Sequence, residues 1–141
     1  MWIEPFLAEM LVETAQPVLS QENWDAIIPV PLFSARKRQR EFNQAERLAD
    51  HLGRALGIPV LPTVLRRTRP TLSQTTLDRK KRSENMKNAF AIHRLPKNVL
   101  HRVILIDDVL TTGATANECA IPLLAQGIEK VVVWTVARTK H

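Results

Sequence analysis

The stretch Val103-Ile-Leu-Ile-Asp107-Asp108-Val-Leu-Thr111-Thr112-Gly113-Ala114-Thr115 constrains the fold more than any other part of the chain. Val103 to Ile106 are apolar and mostly β-branched, the composition of a strand covered on both faces, as in a parallel sheet. The run ends in two adjacent carboxylates. Ligands of open α/β sheets bind beyond the carboxyl ends of the strands, so Asp107 and Asp108 are expected at a ligand edge. Side chains alternate along a strand. One acid can therefore face the ligand while the other orients a metal-bound water or a backbone group.

Thr111, Thr112, Gly113, Ala114 and Thr115 then offer hydroxyls and backbone N–H groups, and Gly113 permits a positive φ or a close backbone approach. Ala116, Cys119, Ala120, Leu123, Leu124 and Gly127 follow at the spacing of a helix over residues 114–126. N–H donors at a helix N-terminus suit a phosphate monoester. Carboxylates beside a phosphate repel it unless they hold hydroxyls or a hydrated Mg²⁺. The combined demand is a sugar phosphate with free hydroxyls and a divalent metal. Asp-Asp alone would read as a strand end and Thr-Thr-Gly alone as a turn. It is the order strand, acids, loop, helix that carries the reading.

The rest of the chain alternates strand and helix patterns. Ile3, Phe6, Leu7, Met10, Leu11 and Val18 form a helical stripe that should pack on the sheet or on another subunit. Residues 26–30 read as a first strand, and 33–40 as a basic loop. Residues 43–56 read as a helix with Ala45, Leu48, Ala49, Leu52 and Leu56 inward, closed by Gly57. Residues 58–65 suggest a short strand interrupted by Pro59 and Pro62. Residues 66–88 are poor in apolar side chains, as in a functional or disordered loop, and their second half has helical character. Phe90-Ala91-Ile92 and residues 131–137 suggest further strands, and Pro122 should kink the 114–126 helix. Such alternation implies one α/β domain over residues 1–141, with a parallel sheet of about four or five strands flanked by helices on both faces. No GxGxxG follows a strand and no GxxxxGK[ST] occurs, which excludes the dinucleotide fold and the P-loop.

The 103–115 segment resembles the phosphoribosyl pyrophosphate (PRPP) motif of type I phosphoribosyltransferases. Ile27-Ile28-Pro29-Val30-Pro31-Leu32, Arg36-Lys37-Arg38 and Phe42-Asn43-Gln44-Ala45-Glu46 resemble the competence protein F (ComF) family. So do Gln74, Leu77, Arg79, Arg82, Asn85, Ala89, Phe90 and the terminal Ala137-Arg138. The likeness covers about residues 24–139. It implies a phosphoribosyltransferase-type fold with Mg²⁺-PRPP as substrate or ligand, and pentosyl transfer to a nitrogen acceptor as the reaction. Asp107 and Asp108 would hold ribose hydroxyls and, through water, Mg²⁺. Thr111, Thr112, Gly113, Ala114 and Thr115 would bind the 5′-phosphate. Arg36, Lys37 and Arg38 would lie on a pyrophosphate loop over residues 31–38. Gln74, Arg79 and Asn85 would lie on a flexible loop over residues 68–88.

The same resemblance admits a different class of function: a non-catalytic competence factor aiding uptake of single-stranded DNA, with DNA or competence-machinery proteins as partners, or a PRPP-sensing regulator. A homodimer is also open. DNA binding needs aromatic platforms among the charges, and the basic middle offers only Phe33, Phe42 and a buried-looking Phe90. The chain departs from the family pattern in three ways. Glu41 and Asn88 stand where glycine is frequent, and the upstream cysteine pairs that often bind zinc are absent, so no zinc is expected. Asn accepts a left-handed backbone better than most residues.

Charge is unevenly distributed. Residues 1–30 hold five acids and no Lys or Arg, residues 31–102 hold 17 Lys/Arg against five acids, and residues 103–141 hold three against four. The basic middle asks for a partner or for a solvated face. The single Cys119 falls on the inward helical face, the place of a buried, inert thiol. His51, His93, His101 and His141 lack metal-ligand spacing. With no transmembrane-length run and no basic start typical of a signal peptide, a cytoplasmic location is the expectation.

Overall fold

A computed structural model describes residues 4–31, 44–68, 87–110 and 114–138. The elements run α1 (Glu4–Leu19), β1 (Ala26–Pro29), α2 (Gln44–Leu56), β2 (Leu65–Arg67), β3 (Phe90–Ile92), β4 (Arg102–Leu110), α3 (Ala114–Ala125) and β5 (Lys130–Arg138). The sheet has the order β1-β4-β5 and both pairings are parallel. Ile104 lies between Ile27 and Val132 in register. The fold is the expected α/β type, with fewer sheet strands among the described residues than the sequence suggested.

The apolar run of β4 is covered on both faces, and its alternation sorts the core into two layers. Val103 and Leu105 pack with Ala26, Ile28, Phe90, Cys119 and Leu123, beneath α3 and the β2–β3 ribbon. Ile104 and Ile106 pack with Ile27, Leu11, Ala15, Leu48 and Leu52, beneath α1 and α2. Every residue of β1 is buried too. Parallel strands sandwiched by helices must be apolar on both sides, which is why these two segments were the most legible.

Four expectations are corrected. Residues 58–65 do not form a strand: Val60 makes an isolated parallel bridge to Ile27, and β2 begins only at Leu65. Pro59 and Pro62 lack the N–H groups a ladder needs. Arg66 and Arg67, read as part of the basic loop, belong to β2, which pairs antiparallel with β3 as a separate ribbon. On α1 the buried stripe is Leu11, Ala15 and Leu19, while Met10 and Val18 face outward. The true stripe is an i, i+4 series with Ala15 in the middle, which a scan for large side chains passes over. On α3 the buried series is Ala116, Cys119 and Leu123; Leu124 is 49% exposed. This helix runs through Pro122 to Ala125.

Asn88 has φ +57°, the left-handed conformation anticipated where a glycine is frequent. Gly57 closes α2 at φ +69°, with the Ile58 N–H donating to the Gly53 carbonyl at 3.1 Å. That pairing is a helix C-terminal motif that needs a residue of this backbone freedom. Gly53 itself is a tight contact. A Cβ there would stand 2.6 Å from Val60 Cγ2 and 2.9 Å from the Ile58 carbonyl oxygen. Gly53→Ala is expected to lower stability by up to about 2 kcal/mol. Overpacking costs about 1–3 kcal/mol, and better helix propensity returns about 1 kcal/mol. A urea denaturation midpoint checks this.

At the amino edge of the strands a polar clasp ties β1 to β4. The Asp25 carboxylate accepts from the His101 and Arg102 N–H groups at 2.7 and 2.9 Å, and the Asp25 N–H donates to the Arg102 carbonyl at 2.8 Å. Glu22 bridges Arg102 and Lys130 at 3.0 and 2.9 Å. The backbone donors of Arg102 and His101 hold the Asp25 carboxyl below its ordinary value of 3.8. A depressed carboxyl contributes stability that is complete above its unfolded value and is lost as pH falls through its folded one. Asp25→Ala is expected to cost about 1–2 kcal/mol at neutral pH, modest for charge-assisted bonds because the clasp meets water. The gap to wild type should close below pH 3.8, in parallel urea titrations.

No helix among the described residues is long and apolar enough to cross a membrane.

Candidate functional site

Parallel pairing brings the carboxyl ends of β1, β4 and β5 to one edge. Pro29 pairs with Ile106, and the Val30 N–H donates to the Ile106 carbonyl at 2.9 Å. The chain therefore leaves β1 directly beside Asp107. On the other side Asp107 is in register with Thr135 of β5. After β4 ends at Leu110, only residues 111–113 intervene before α3 starts at Ala114. The strand that carries the two acids is thus followed, three residues after its end, by the helix, in the order the sequence pattern suggested.

Asp107 is the one buried charged side chain among the described residues, 8% exposed. It follows Val103 and Leu105 on the face toward α3. Cys119 of that helix is fully buried. Burial first, and then the neighbouring Asp107 charge, push its thiol well above the ordinary range, with Arg67 acting in the opposite sense. The thiol stays protonated and supplies no soft thiolate ligand. The chemistry on offer is oxygen, which suits a hard cation.

Of the anticipated residues, the structure brings Asp107, Asp108, Ala114 and Thr115 to this edge: Asp108 lies on β4, Ala114 is the first residue of α3, and Thr115 is half-buried on its first turn. Thr111, Thr112, Gly113, Arg36, Lys37, Arg38, Gln74, Arg79 and Asn85 lie outside the described residues, as do Glu41, Phe33 and Phe42. The bases of two of those segments are described. Pro31 leads out of β1 toward residues 32–43. Thr68 and Asn88 flank residues 69–86 and are tied together: the Thr68 hydroxyl donates to the Asn88 carbonyl at 3.2 Å, and the Thr68 N–H to the Ala89 carbonyl at 2.7 Å. Glu118 of α3 accepts from the Asn88 N–H at 2.9 Å.

Sequence reasoning passed over Arg67. Its guanidinium lies 4.9 Å from the centre of the Phe90 ring, within reach of a cation–π contact. The alternation of Leu65, Arg66 and Arg67 held the signal, since Leu65 and Arg67 share one side of a strand.

Comparison with known proteins agrees with this geometry. The chain is 41% identical to competence protein F of Haemophilus influenzae over 142 residues, 97% of this chain and 62% of that protein. It is 42% identical to the DNA utilization protein YhgH of Escherichia coli strain K12 over 115 residues, 82% of this chain and 50% of that protein. It thus spans roughly half to two-thirds of the length of these relatives. Adenine phosphoribosyltransferase of Saccharomyces cerevisiae, solved with an imino-altritol bisphosphate and adenine, superposes with a TM-score of 0.60 at 15% identity, over 97% of this chain and 69% of that one. No protein-family model matches. Over most of its length the chain is thus similar in sequence to competence protein F, and its architecture is that of the type I phosphoribosyltransferase fold.

Proposed function

We propose that this domain binds Mg²⁺-PRPP at the carboxyl edge of the sheet and transfers its phosphoribosyl group to a nitrogen acceptor. The observation that carries the reading is the placement of Asp107: a buried carboxylate near the carboxyl end of the central parallel strand, beside the exit of β1 and seven residues before the α3 N-terminus. Asp107 and Asp108 would accept hydrogen bonds from ribose hydroxyls and, through water, hold the metal. Mg²⁺ bound there would neutralise pyrophosphate charge. Thr111 to Thr115 would hold the 5′-phosphate through hydroxyls and N–H groups at the helix start, where the dipole favours an anion. Arg36, Lys37 and Arg38, and the segment containing Gln74, Arg79 and Asn85, would offset the charge that builds on the departing pyrophosphate. The sugar carbon that loses pyrophosphate becomes oxocarbenium-like, as in glycoside cleavage, and the acceptor nitrogen then bonds to it.

Calorimetric titration of PRPP into the protein, with and without Mg²⁺, tests the reading. Saturable binding that requires Mg²⁺ is the expected result, followed by pyrophosphate release when the right base or amine is supplied. A folded protein that binds no PRPP would overturn it.

The names of the relatives favour a second reading, in which the domain serves DNA uptake or use without turnover. It predicts affinity for single-stranded DNA that falls steeply with salt, and no pyrophosphate release with any acceptor.

A further inference from the structure

β5 is composed like an interior strand but stands at an edge. Lys130-Val-Val-Val-Trp-Thr-Val-Ala-Arg138 runs for nine residues, with charges only at its two ends and no proline or glycine. A near-continuous apolar run of that kind suits a parallel strand covered on both faces. In the order β1-β4-β5 it has one strand neighbour among the described residues. The Lys130 N–H donates to the His101 carbonyl at 3.1 Å, toward β4. Backbone groups alternate sides along such a strand, so those of Val131 and Val133 point away from β4. Val103 to Ile106 of β4 are fully buried, whereas Val131, Val132 and Trp134 are half-buried and Val133 is 38% exposed.

Both layers flanking this edge are apolar there. On one face α1 packs on α2 and β5. Val12, to one side of its buried stripe, joins the layer of Leu48 and Leu52. Met10, Thr14 and Val18 recur at every fourth residue on the other side, turned from α2 and toward the open side of β5. Met10 is 39% and Val18 54% exposed. The Thr14 hydroxyl is already bonded to the Met10 carbonyl at 2.9 Å. The exposed acids Glu9 and Glu13 lie outside this flank. On the other face, Glu118 marks the side of α3 that meets the β2–β3 ribbon, through the Asn88 N–H. Half-buried Ala120 and exposed Leu124 lie on the opposite side, toward the β5 edge. Met10, Val18, Leu124 and Val133 are four of the seven large apolar side chains exposed among the described residues, so this exposure is gathered at one edge rather than scattered.

We propose that a second copy of this chain docks on the β5 edge, β5 against β5 in antiparallel pairing about a two-fold axis, with α1 meeting α1 and α3 meeting α3. The proposal is independent of the PRPP reading. Charge selects the occupant. The chain has a net charge of +6, so two copies repel unless they meet across an uncharged strip, and this strip is uncharged between Lys130 and Arg138. An anionic partner would find no cation in it to pair with. Charge also selects the register. Full overlap of the two strands would set Lys130 against Arg138. With Val133 opposite its own copy, Lys130 falls opposite Val136, and Val132 opposite Trp134, a favourable β-branched and aromatic pair. Arg138 then falls beside Glu129 of the second copy, an acid whose side chain is 69% exposed. The pairing removes an exposed apolar edge, and the two-fold closes the assembly at two copies.

Sedimentation equilibrium of the whole chain, from micromolar to millimolar concentration, tests the proposal. A reversible dimer is the expected result. Val133→Lys should weaken dimerisation by about a hundredfold or more, because the axis sets the two lysines against each other. Val18→Lys should give a comparable loss from α1 without touching β5, and urea midpoints show which variants are folded. Val99→Lys, at a position 71% exposed on another part of the surface, should leave the dimer unchanged. Mixing Val133→Lys with Val133→Glu in equal amounts should restore dimers, since the axis then pairs opposite charges. A chain that stays monomeric at every concentration would overturn the proposal and leave the edge to a strand of another protein. A dimer that survives both Val133→Lys and Val18→Lys, or that Val99→Lys breaks as readily, would put the contact elsewhere and overturn it too. Dimers lost to Val133→Lys but not restored by mixing would overturn the symmetric pairing of β5.

Discussion

Asp108→Ala is expected to weaken Mg²⁺-PRPP binding by about a hundredfold while leaving the domain folded. A carboxylate that accepts two hydroxyl or metal-water bonds loses both with the substitution. Bonds to a charged group contribute about 1.5–3 kcal/mol each, so the lower end for two, about 3 kcal/mol, is a little over a hundredfold. The fold should tolerate the change. β4 pairs with β5 through its backbone on both sides of this position, at Asp107 with Thr135 and at Val109 with Ala137. The apolar layers draw on Val103 to Ile106 instead. Calorimetry beside a urea midpoint separates the two effects. Unchanged affinity in a well-folded variant would remove Asp108 from the site.

Ile104→Ala is the counterpart in the scaffold, with an expected loss of about 3–4 kcal/mol. Ile104 is fully buried on the central strand and faces the layer formed by Leu11, Leu48 and Leu52. Removing a large buried side chain costs its transfer energy plus the cavity left behind, about 2–5 kcal/mol. The low end of that range is excluded because strands on both sides prevent β4 from shifting to fill the void. Against a total stability of about 5–15 kcal/mol for a domain, such a loss is easily read in urea. A loss below about 1 kcal/mol would mean that α1 and α2 are not packed on the sheet as described.

The parts of the fold that sequence made legible are those where one physical rule acts alone. β4 and β1 had to be buried parallel strands because both of their faces are apolar. The α2 helix was read nearly to the residue because Ala45, Leu48, Ala49 and Leu52 keep one face and Gly57 ends it. Where two rules competed, the reading slipped. Pro59 and Pro62 sit in an apolar stretch that has strand composition but cannot supply a ladder of N–H groups. Alanine at position 15 hid the true stripe of α1. The acids and the helix start of the candidate site could be proposed from sequence because they are local in it. The contact of Arg67 with its ring could not, since Phe90 lies 23 residues away and is brought opposite it by antiparallel pairing.

The pairing of β4 has a consequence for how the domain assembles. Its partner β5 follows after a single helix, so residues 102–138 form a contiguous βαβ unit that closes only a short loop. Its other partner β1 lies far upstream, with Ala26 opposite Val103. Joining it costs more chain entropy, and distant contacts form slowly. The two acids and the helix start therefore belong to the segment that can nucleate early, whereas the strand that delivers Pro31 to their side docks late. The carboxyl edge therefore joins a half made by local chain to one made by a distant closure, and the two halves are expected to form at different moments of folding.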